Sequence, residues 1–178
     1  GVYEYAAGEK RDISRSIMSH NTVCVDRYEP FRMGSSFWLY GSIQQESTYN
    51  KRKGYIDFSY RPERIGGNTY NHNRKISYEP GMISVSDTVE GRELPATSSF
   101  HVHPKYFIDN IDDKFEVSKQ DSTTLITITP SGAESASVET KPYYPEYGRE
   151  VLRDALVINF KQELEIKIES EVHETDRQ

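Results

Sequence analysis

Residues 82–89 read MISVSDTV, a run in which apolar and polar side chains largely alternate. Successive side chains of a β-strand point to opposite faces of the sheet, so a period of two predicts a strand with one buried face and one wet face. Further short runs show the same alternation and are rich in Val, Ile, Thr, Phe or Tyr: residues 22–28, 36–43, 55–60, 73–78, 99–107, 114–117, 123–129, 136–140, 156–160 and 164–168. The sequence therefore predicts about eleven strands.

Turn-forming residues separate these runs at short intervals. They are GGN at 66–68, EPG at 79–81, EG at 90–91, DN at 109–110 and PSG at 130–132. No segment shows a convincing apolar stripe at helical spacing, and the best helical candidate, residues 149–155, is short. We therefore predict an all-β fold, an antiparallel β-sandwich of short strands, and the lack of an internal repeat disfavours a propeller or solenoid.

The length of 178 residues fits one domain, which we place at residues 1–170, followed by a polar tail at 171–178 that contains His173. The formal net charge of -6 opposes sequence-independent binding of nucleic acid, which needs a basic surface. No apolar run approaches the roughly 20 residues that span a bilayer, so we expect no membrane partner. The opening residues GVYEY resemble the middle of a strand, which predicts a piece of a longer protein whose sandwich lacks its first strands here.

The histidines and the single cysteine are the first candidates for chemistry. His101 and His103 lie two positions apart, so on a strand both rings would project from one face and could share a metal; the alternative is that this face is simply half-buried. His20 lies where a loop enters a strand, and its ring faces either the core or a cleft. Cys24 has apolar neighbours and is expected to be a small core residue.

Several stretches of the chain together resemble one protein family. In order, they are GVYEY (1–5), RDISRSIMSHNTVCVD (11–26), NHNRKI (71–76), ISVSDTVEG (83–91), FHVHP (100–104) and YPEYGREVLRDALVINF (144–160). Over nearly its whole length the chain is similar to the C-terminal β-sandwich region of heparinase II/III-like polysaccharide lyases. The pattern RS-x-x-x-HNTV-x-VD at residues 15–26 is the specific part, and the later strands are weaker signals.

The resemblance implies that the sandwich follows an α-helical toroid and that the active site lies in the cleft between them. It implies β-elimination on a uronate-containing acidic polysaccharide. A base removes the proton beside the uronate carboxylate, an acid protonates the leaving glycosidic oxygen, and polar groups neutralise the carboxylate. The family's catalytic residues come from the toroid and from an H-x-H stretch upstream of the position matching Gly1. The resemblance thus predicts no catalytic residue in this chain, which alone should be inactive.

A structural zinc ion is the cofactor that the resemblance implies. In family members with this zinc, the ligands are the second histidine of H-x-H, an aspartate just before the strand matching GVYEY, and the histidine of HNTV, which here is His20. Zinc takes about four ligands, so His20 holds it only if the upstream ligands are present. Candidate substrate-binding residues are Tyr3 and Tyr5, which would line the cleft, and Arg11 and Arg15, whose guanidinium groups can pair with a carboxylate or sulfate.

Two other classes of protein remain open. One is a noncatalytic carbohydrate-binding module in which exposed tyrosines and Trp38 stack on sugar rings. The other is a structural interaction sandwich whose tyrosine-rich faces contact another protein, since a fold alone does not fix a function. The lyase interpretation predicts a periplasmic or secreted protein, with an acidic polysaccharide and the N-terminal α-toroid portion of the same protein as its partners.

Overall fold

Antiparallel strands dominate the computed structural model of this protein, which describes residues 2–30, 32–34, 38–40, 43–51, 53–62, 70–91, 93–121 and 123–170. In these ranges one helix, α1 (Glu9–Arg15), and one 3₁₀ turn (Ile17–Ser19) precede the strands. The strands are β1 (Val23–Val25), β2 (Arg32–Met33), β3 (Leu39–Tyr40), β4 (Ile43–Asn50), β5 (Tyr55–Pro62), β6 (Asn71–Glu79), β7 (Met82–Glu90), β8 (Ala96–His101), β9 (Tyr106–Ile111), β10 (Lys114–Lys119), β11 (Thr124–Ser131), β12 (Ser135–Glu146), β13 (Arg149–Phe160) and β14 (Glu163–Ser170). Neither helical element in the described part of the chain has the length and apolarity to cross a membrane.

The strands form two large sheets and a small ribbon of β2 and β3. The larger sheet has the order β4-β5-β6-β7-β14-β11-β10-β9, and the smaller has the order β1-β8-β13-β12. Every pairing between these strands is antiparallel. Two such sheets packed face to face are a β-sandwich, so the predicted fold class is confirmed.

The hydrophobic core lies between the two sheets. β13 contributes Leu156, Ile158 and Phe160, and β14 contributes Leu164 and Ile166, all essentially without exposed surface. Residues two apart on a strand share a face, which explains how one strand supplies several core side chains. Burying a side chain of this kind stabilises the fold by roughly 1.5–3 kcal/mol, so these contacts hold the sheets together.

The outer face of the small sheet, turned away from this core, is covered by the segment that precedes β1. On β13 the alternate residues Ala155 and Val157 are buried although they do not belong to the core cluster. Arg153 shares their face and donates from Nη2 to Ser19 O at 2.9 Å. The segment around Ser19 therefore packs on this outer face, where it creates the candidate site.

The helical content differs from the prediction. Residues 149–155, the best helical candidate in the sequence, are the first part of β13 and pair with β12. Alternation is hard to see in this strand because both of its faces are covered from Ala155 to Ile158, where the sequence ALVI is a continuous apolar run. The helix that does form, α1, has the sequence EKRDISR, in which Ile13 is the one apolar residue, so it offers no apolar stripe.

Two strand boundaries also differ from the prediction. The run at 99–107 is two strands, β8 and β9, because the chain turns around Pro104 and Tyr106 N donates to His103 O at 2.9 Å. β4, which was not predicted beyond its first residue, has the sequence IQQESTYN with few apolar side chains. The predicted turn at 66–68 and part of the predicted strand at 36–43 lie outside the described residues, as does the tail at 171–178 with His173.

The predicted turn at Asp109 and Asn110 is wrong, because both residues lie inside β9. The turn to β10 is made instead by Asp112 and Asp113, whose φ angles are 48° and 63°. Two consecutive positive φ angles are what a two-residue hairpin turn requires, and Asp tolerates them better than most residues.

Candidate functional site

A charged network is buried between the two sheets. Asp87 on β7 accepts two hydrogen bonds from Arg74 on β6, with Nε to Oδ1 at 2.7 Å and Nη2 to Oδ2 at 2.8 Å. His72, on β6 and fully buried, has Nε2 at 2.8 Å from the same Oδ1. Ser98 on β8 donates to Asp87 Oδ2 at 3.4 Å. Because β8 belongs to the small sheet, the network joins the two sheets through charge-assisted contacts.

The charge state of Asp87 follows from these contacts. Burial alone would raise the pKa of Asp87, but the hydrogen bonds from Arg74 and His72 outweigh it and hold the pKa below its ordinary value. Asp87 is therefore ionised at neutral pH and supplies the counter-charge for the buried guanidinium of Arg74.

The same network fixes the loop that carries His20. Arg74 donates through Nη1 to Asn21 O at 2.8 Å, and the backbone N–H of His101 donates to Asn21 Oδ1 at 2.9 Å. Asn21 is thus bonded to one residue from each sheet. The position of His20, its neighbour in sequence, is set by the core of the sandwich.

The residues before His20 are anchored as well. Both carboxylate oxygens of Glu29 accept from Ile17 N, at 3.1 and 3.0 Å, and Ser16 Oγ donates to the same carboxylate. Ser19 Oγ donates to Ile13 O at 2.6 Å. The loop is therefore held from both of its ends.

A polar cavity of about 150 Å³ lies beside this loop. Its lining comes from the N-terminal segment and from β12 and β13: Ser14, Ser19, His20, Pro142, Tyr143, Tyr144 and Arg153. Among the residues that the structure describes, no carboxylate lines this cavity. His20 is an exposed residue, so its ring is open to groups that approach from outside.

Arg153 is the fixed cation of this cavity. Its Nη2 donates to Ser19 O at 2.9 Å, and its Cζ lies 4.8 Å from the centroid of the Tyr143 ring. Its Nε is buried and has no acceptor among the described residues. Burial lowers the pKa of Arg153, and Tyr143 opposes this effect. Arg153 is a partly desolvated cation whose hydrogen-bonding capacity is incompletely used.

His101 contacts the same loop from β8. Its Nε2 lies 3.1 Å from Met18 O, and because a carbonyl oxygen only accepts, Nε2 carries the proton. Burial lowers the pKa of His101 to about 4, and the charges of Arg153, His20 and Lys141 act in the same direction. His101 is therefore neutral at neutral pH, in surroundings of positive potential.

Three of the four predicted substrate-binding residues take part in two aromatic pairs. Tyr3 packs edge-on against Tyr144 with ring centroids 5.6 Å apart, and Tyr5 stacks on Tyr147 at 5.8 Å. Arg11, on α1, is buried with its Cζ 5.6 Å from the centroid of the Tyr5 ring. Since Tyr144 also lines the cavity, the pair of Tyr3 and Tyr144 adjoins the cavity.

Arg15, the fourth predicted residue, is engaged elsewhere. Its Nη2 donates to Trp38 O at 3.3 Å, and the Trp38 side chain is 63% exposed. Nothing brings Arg15 into the lining of the cavity. Arg11 and Arg15 lie one helical turn apart on α1, and their roles in substrate binding stay predictions.

The described residues do not by themselves form a complete zinc site. Among the residues that the structure describes, no three His, Cys, Asp or Glu side chains are grouped so that they could hold a metal ion. His103 accepts at Nδ1 from Lys105 N at 3.2 Å, and His101 is bonded to Met18 O. His20 and His103 are both exposed, and the ligands that would complete a zinc site at His20 would have to come from outside the described residues.

Cys24 has the core character that its sequence context predicts. It is 3% exposed, and burial together with the charges of Glu29 and Asp26 raises the pKa of its thiol to about 11. A protonated, buried thiol is a poor nucleophile, so Cys24 belongs to the packing of the fold.

The buried network was not predicted, although the sequence contains a signal for it. His72 and Arg74 lie two apart on β6, and Asp87 takes the place of an apolar residue between Val85 and Val89 in an alternating run. Charged residues at interior positions of a strand must be paired, which indicates a buried network. Arg153 gives no local signal, because its partner Ser19 is 134 residues away.

These features define the chain as an antiparallel β-sandwich in which a buried charged network fixes a histidine-bearing loop beside a cationic, aromatic-rimmed cavity. The family model described as heparinase II/III-like, C-terminal, matches residues 1–172. The chain belongs to this family, and the resemblance seen in its motifs is confirmed.

Solved structures share this fold. A heparinase III with methylated lysines superposes with a TM-score of 0.70 at 18% sequence identity, covering 99% of this chain and 28% of that protein. The heparan sulfate lyase HepC from Pedobacter heparinus gives a TM-score of 0.68 at 16% identity, covering 95% of this chain and 27% of that protein. This chain thus spans little more than a quarter of the length of these proteins. No curated protein sequence matches it.

Proposed function

We propose that this chain is the β-sandwich portion of a polysaccharide lyase that cleaves uronate-containing acidic polysaccharides by β-elimination. Membership of the heparinase II/III-like family is the observation that carries the proposal. The structural neighbours named heparinase III and heparan sulfate lyase are several times longer than this chain, which supports an upstream α-toroid as its partner. A polymeric substrate of this kind is consistent with a periplasmic or secreted protein.

In this proposal the sandwich forms one wall of the substrate cleft. β-Elimination requires a base for the proton beside the uronate carboxylate, an acid for the leaving oxygen and polar groups that neutralise the carboxylate. We assign the base and the acid to residues outside this chain. This chain would help to bind and orient the polysaccharide. Arg153 would supply positive charge, and the tyrosines around the cavity would supply contact surface on the paired strands β12 and β13.

We also propose His20 as one ligand of a structural zinc ion completed by residues from outside this chain. Its exposed ring and the anchored backbone on either side of it support this role. When bound, the zinc would link the sandwich to the segment that supplies the other ligands, since metal binding stabilises the conformation that assembles its site.

The lyase proposal is tested on the full-length protein that contains this chain. Incubation with heparan sulfate, hyaluronan and alginate should release oligosaccharides with an unsaturated uronate end, measured by ultraviolet absorbance, from at least one polymer. If the protein binds these polymers and releases no unsaturated product from any of them, the lyase proposal is wrong.

The zinc proposal has a separate test in the same protein. Metal analysis of the native protein should find zinc, and His20→Ala should lower the zinc content and the melting temperature. His103→Ala is the matched control, because His103 is also exposed and lies outside the cavity lining. Equal zinc content in the wild type and His20→Ala would remove His20 as a ligand.

A noncatalytic carbohydrate-binding module is the second candidate. The stacked pair of Tyr5 and Tyr147, 54% and 69% exposed, favours it because exposed aromatic rings pack against sugar faces. Binding that depends on Tyr147 without any cleavage by the full-length protein would select this function.

A further inference from the structure

The cavity beside His20 contains a cation without a matching negative charge. A guanidinium group has five N–H donors, and Arg153 donates one hydrogen bond within the described part of the chain, from Nη2 to Ser19 O. Its buried Nε has no acceptor, and no carboxylate pairs with Arg153 in the described part of the chain. A partly buried cation in this state would be stabilised by an anion that enters the cavity.

Two carboxylates on β12 and β13, the strands that help to line the cavity, are already paired. Lys141, which lies directly opposite Arg153 in the register of β12 and β13, forms an ion pair with Glu139. Glu150 pairs with Lys10, with Oε2 and Nζ 3.0 Å apart. The positive charge of Arg153 is therefore not cancelled by its neighbours, although the protein as a whole carries a net charge of -6.

The surroundings of Arg153 suit an anionic group carried on a sugar. The cavity of about 150 Å³ exceeds the roughly 30 Å³ that one water occupies in the liquid, so it has room for a charged substituent. Tyr143 and Tyr144 form part of its wall, and the ring of Tyr144 also packs against the ring of Tyr3. Aromatic rings offer apolar faces with polar edges, which is what a sugar ring beside a bound anion requires.

We propose that this cavity is an anion-binding subsite that takes one carboxylate or sulfate group of an acidic saccharide, with Arg153 as its main contact and His20 and Tyr143 beside it. The assignment to a saccharide rests on the proposed function of the longer protein. The paired N–H donors of a guanidinium group can bind two oxygens of either a carboxylate or a sulfate. The structure therefore predicts binding of an oxyanion, and the experiment below distinguishes the two groups.

The test compares Arg153→Gln and Arg153→Lys with the wild type in the full-length protein. Isothermal titration uses hyaluronan oligosaccharides, which carry carboxylates alone, and heparan sulfate oligosaccharides, which carry sulfates as well. We expect Arg153→Gln to weaken binding about ten- to hundredfold, since a charge-assisted two-point contact is lost, and Arg153→Lys to give an intermediate loss. Weakening with both ligands identifies the carboxylate, and weakening with heparan sulfate alone identifies the sulfate.

Arg149→Gln is the matched control. Arg149 lies on the same strand as Arg153, is 62% exposed and pairs with Glu146 at 2.9 Å, so it reports the effect of removing one positive charge from β13. The Arg149→Gln variant should bind both oligosaccharides with the affinity of the wild type. Equal affinities of the wild type and Arg153→Gln would overturn the subsite.

A measurement on the wild type covers the case in which Arg153→Gln does not fold, because Arg153 also supports Ser19. Inorganic sulfate or D-glucuronate should raise the melting temperature of the full-length protein in a concentration-dependent way, and Arg153→Lys should reduce this rise. If neither anion raises the melting temperature, the saccharide subsite is overturned.

The subsite and the lyase function fail in different ways. Binding that depends on Arg153 without unsaturated products supports the subsite and removes the lyase. Unsaturated products formed by Arg153→Gln with wild-type KM and kcat keep the lyase and remove the subsite.

Discussion

Arg74 and Asp87 lie directly opposite each other in the antiparallel register of β6 and β7, and their side chains meet in a two-point contact inside the sandwich. Arg74 reaches past this contact to Asn21 O in the loop beside His20. The packing of the core and the position of the surface loop thus depend on the same guanidinium group.

Asp87→Asn is expected to destabilise the protein by about 3–5 kcal/mol. The substitution keeps the shape of the side chain but removes its charge, which leaves the guanidinium of Arg74 buried without a counter-charge. Denaturant unfolding followed by fluorescence measures the change in the free energy of unfolding.

The control for this prediction is Glu146→Gln, which breaks an ion pair whose two side chains are both more than 60% exposed. Exposed pairs contribute at most about 1 kcal/mol, so this variant should unfold close to the wild type. A loss in Asp87→Asn no larger than that in Glu146→Gln would contradict a stabilising role for the buried pair.

The pKa of His101 predicts a loss of stability on mild acidification. Burial and the charge of Arg153 lower this pKa from the ordinary 6.5 to about 4 in the folded protein. Between these values the unfolded chain binds the proton and the folded chain does not. The free energy of unfolding should therefore be highest above pH 6.5 and fall as the pH decreases toward 4.

His101→Gln removes this titration and should flatten the decline in that pH window, as measured by denaturant unfolding at a series of pH values. The effect of Asp87 falls in a different pH range from that of His101. The pKa of Asp87 is held below the ordinary 3.8, so the stability that its charge contributes is lost only at lower pH. The same slope in the wild type and in His101→Gln would show that other groups cause the decline.

Alanine substitutions at Gly132 and Gly148 should distinguish the energetic cost of backbone strain from that of a steric clash. Both glycines have positive φ angles, 83° and 71°, but a Cβ on Gly132 would lie 2.8 Å from Glu163 O, while a Cβ on Gly148 meets nothing within 4 Å. Gly148→Ala should cost about 1–2 kcal/mol for the left-handed backbone. Gly132→Ala should cost more because a backbone carbonyl must also move. Thermal unfolding of both variants checks the order, and equal losses would exclude the clash.

The fold was predictable where its information is local. Alternation along Met82–Glu90 describes the strand directly, because strand faces repeat every two residues. The burial of Ala155 and Val157 on the outer face was not predictable, since it depends on a covering segment more than a hundred residues earlier in the chain.

In the candidate site, too, the residues with a local sequence signal were predictable and those defined by long-range contacts were not. His20 could be selected because its motif is contiguous, and the charges at Arg74 and Asp87 were visible as interruptions of apolar strand positions. Arg153 resembles any other arginine of an alternating strand until Ser19 and Tyr143 are placed around it. Tertiary contacts, which no short window contains, decide which arginine lines the cavity.

Asn21→Ala is expected to loosen the loop beside His20 without disturbing the core. The substitution removes the Oδ1 acceptor of the His101 amide, which is worth about 0.5–1.5 kcal/mol, while the backbone oxygen still accepts from Arg74. Hydrogen exchange at the His101 amide should become faster, and under the proposal that His20 is a zinc ligand the full-length protein should bind zinc more weakly. Asn71→Ala is the control, because Asn71 also makes a side-chain hydrogen bond, but an exposed one to Glu90 at 3.3 Å that does not involve the loop. If both variants leave exchange at His101 unchanged, the loop is held by its upstream anchors, and the core network does not set the position of His20.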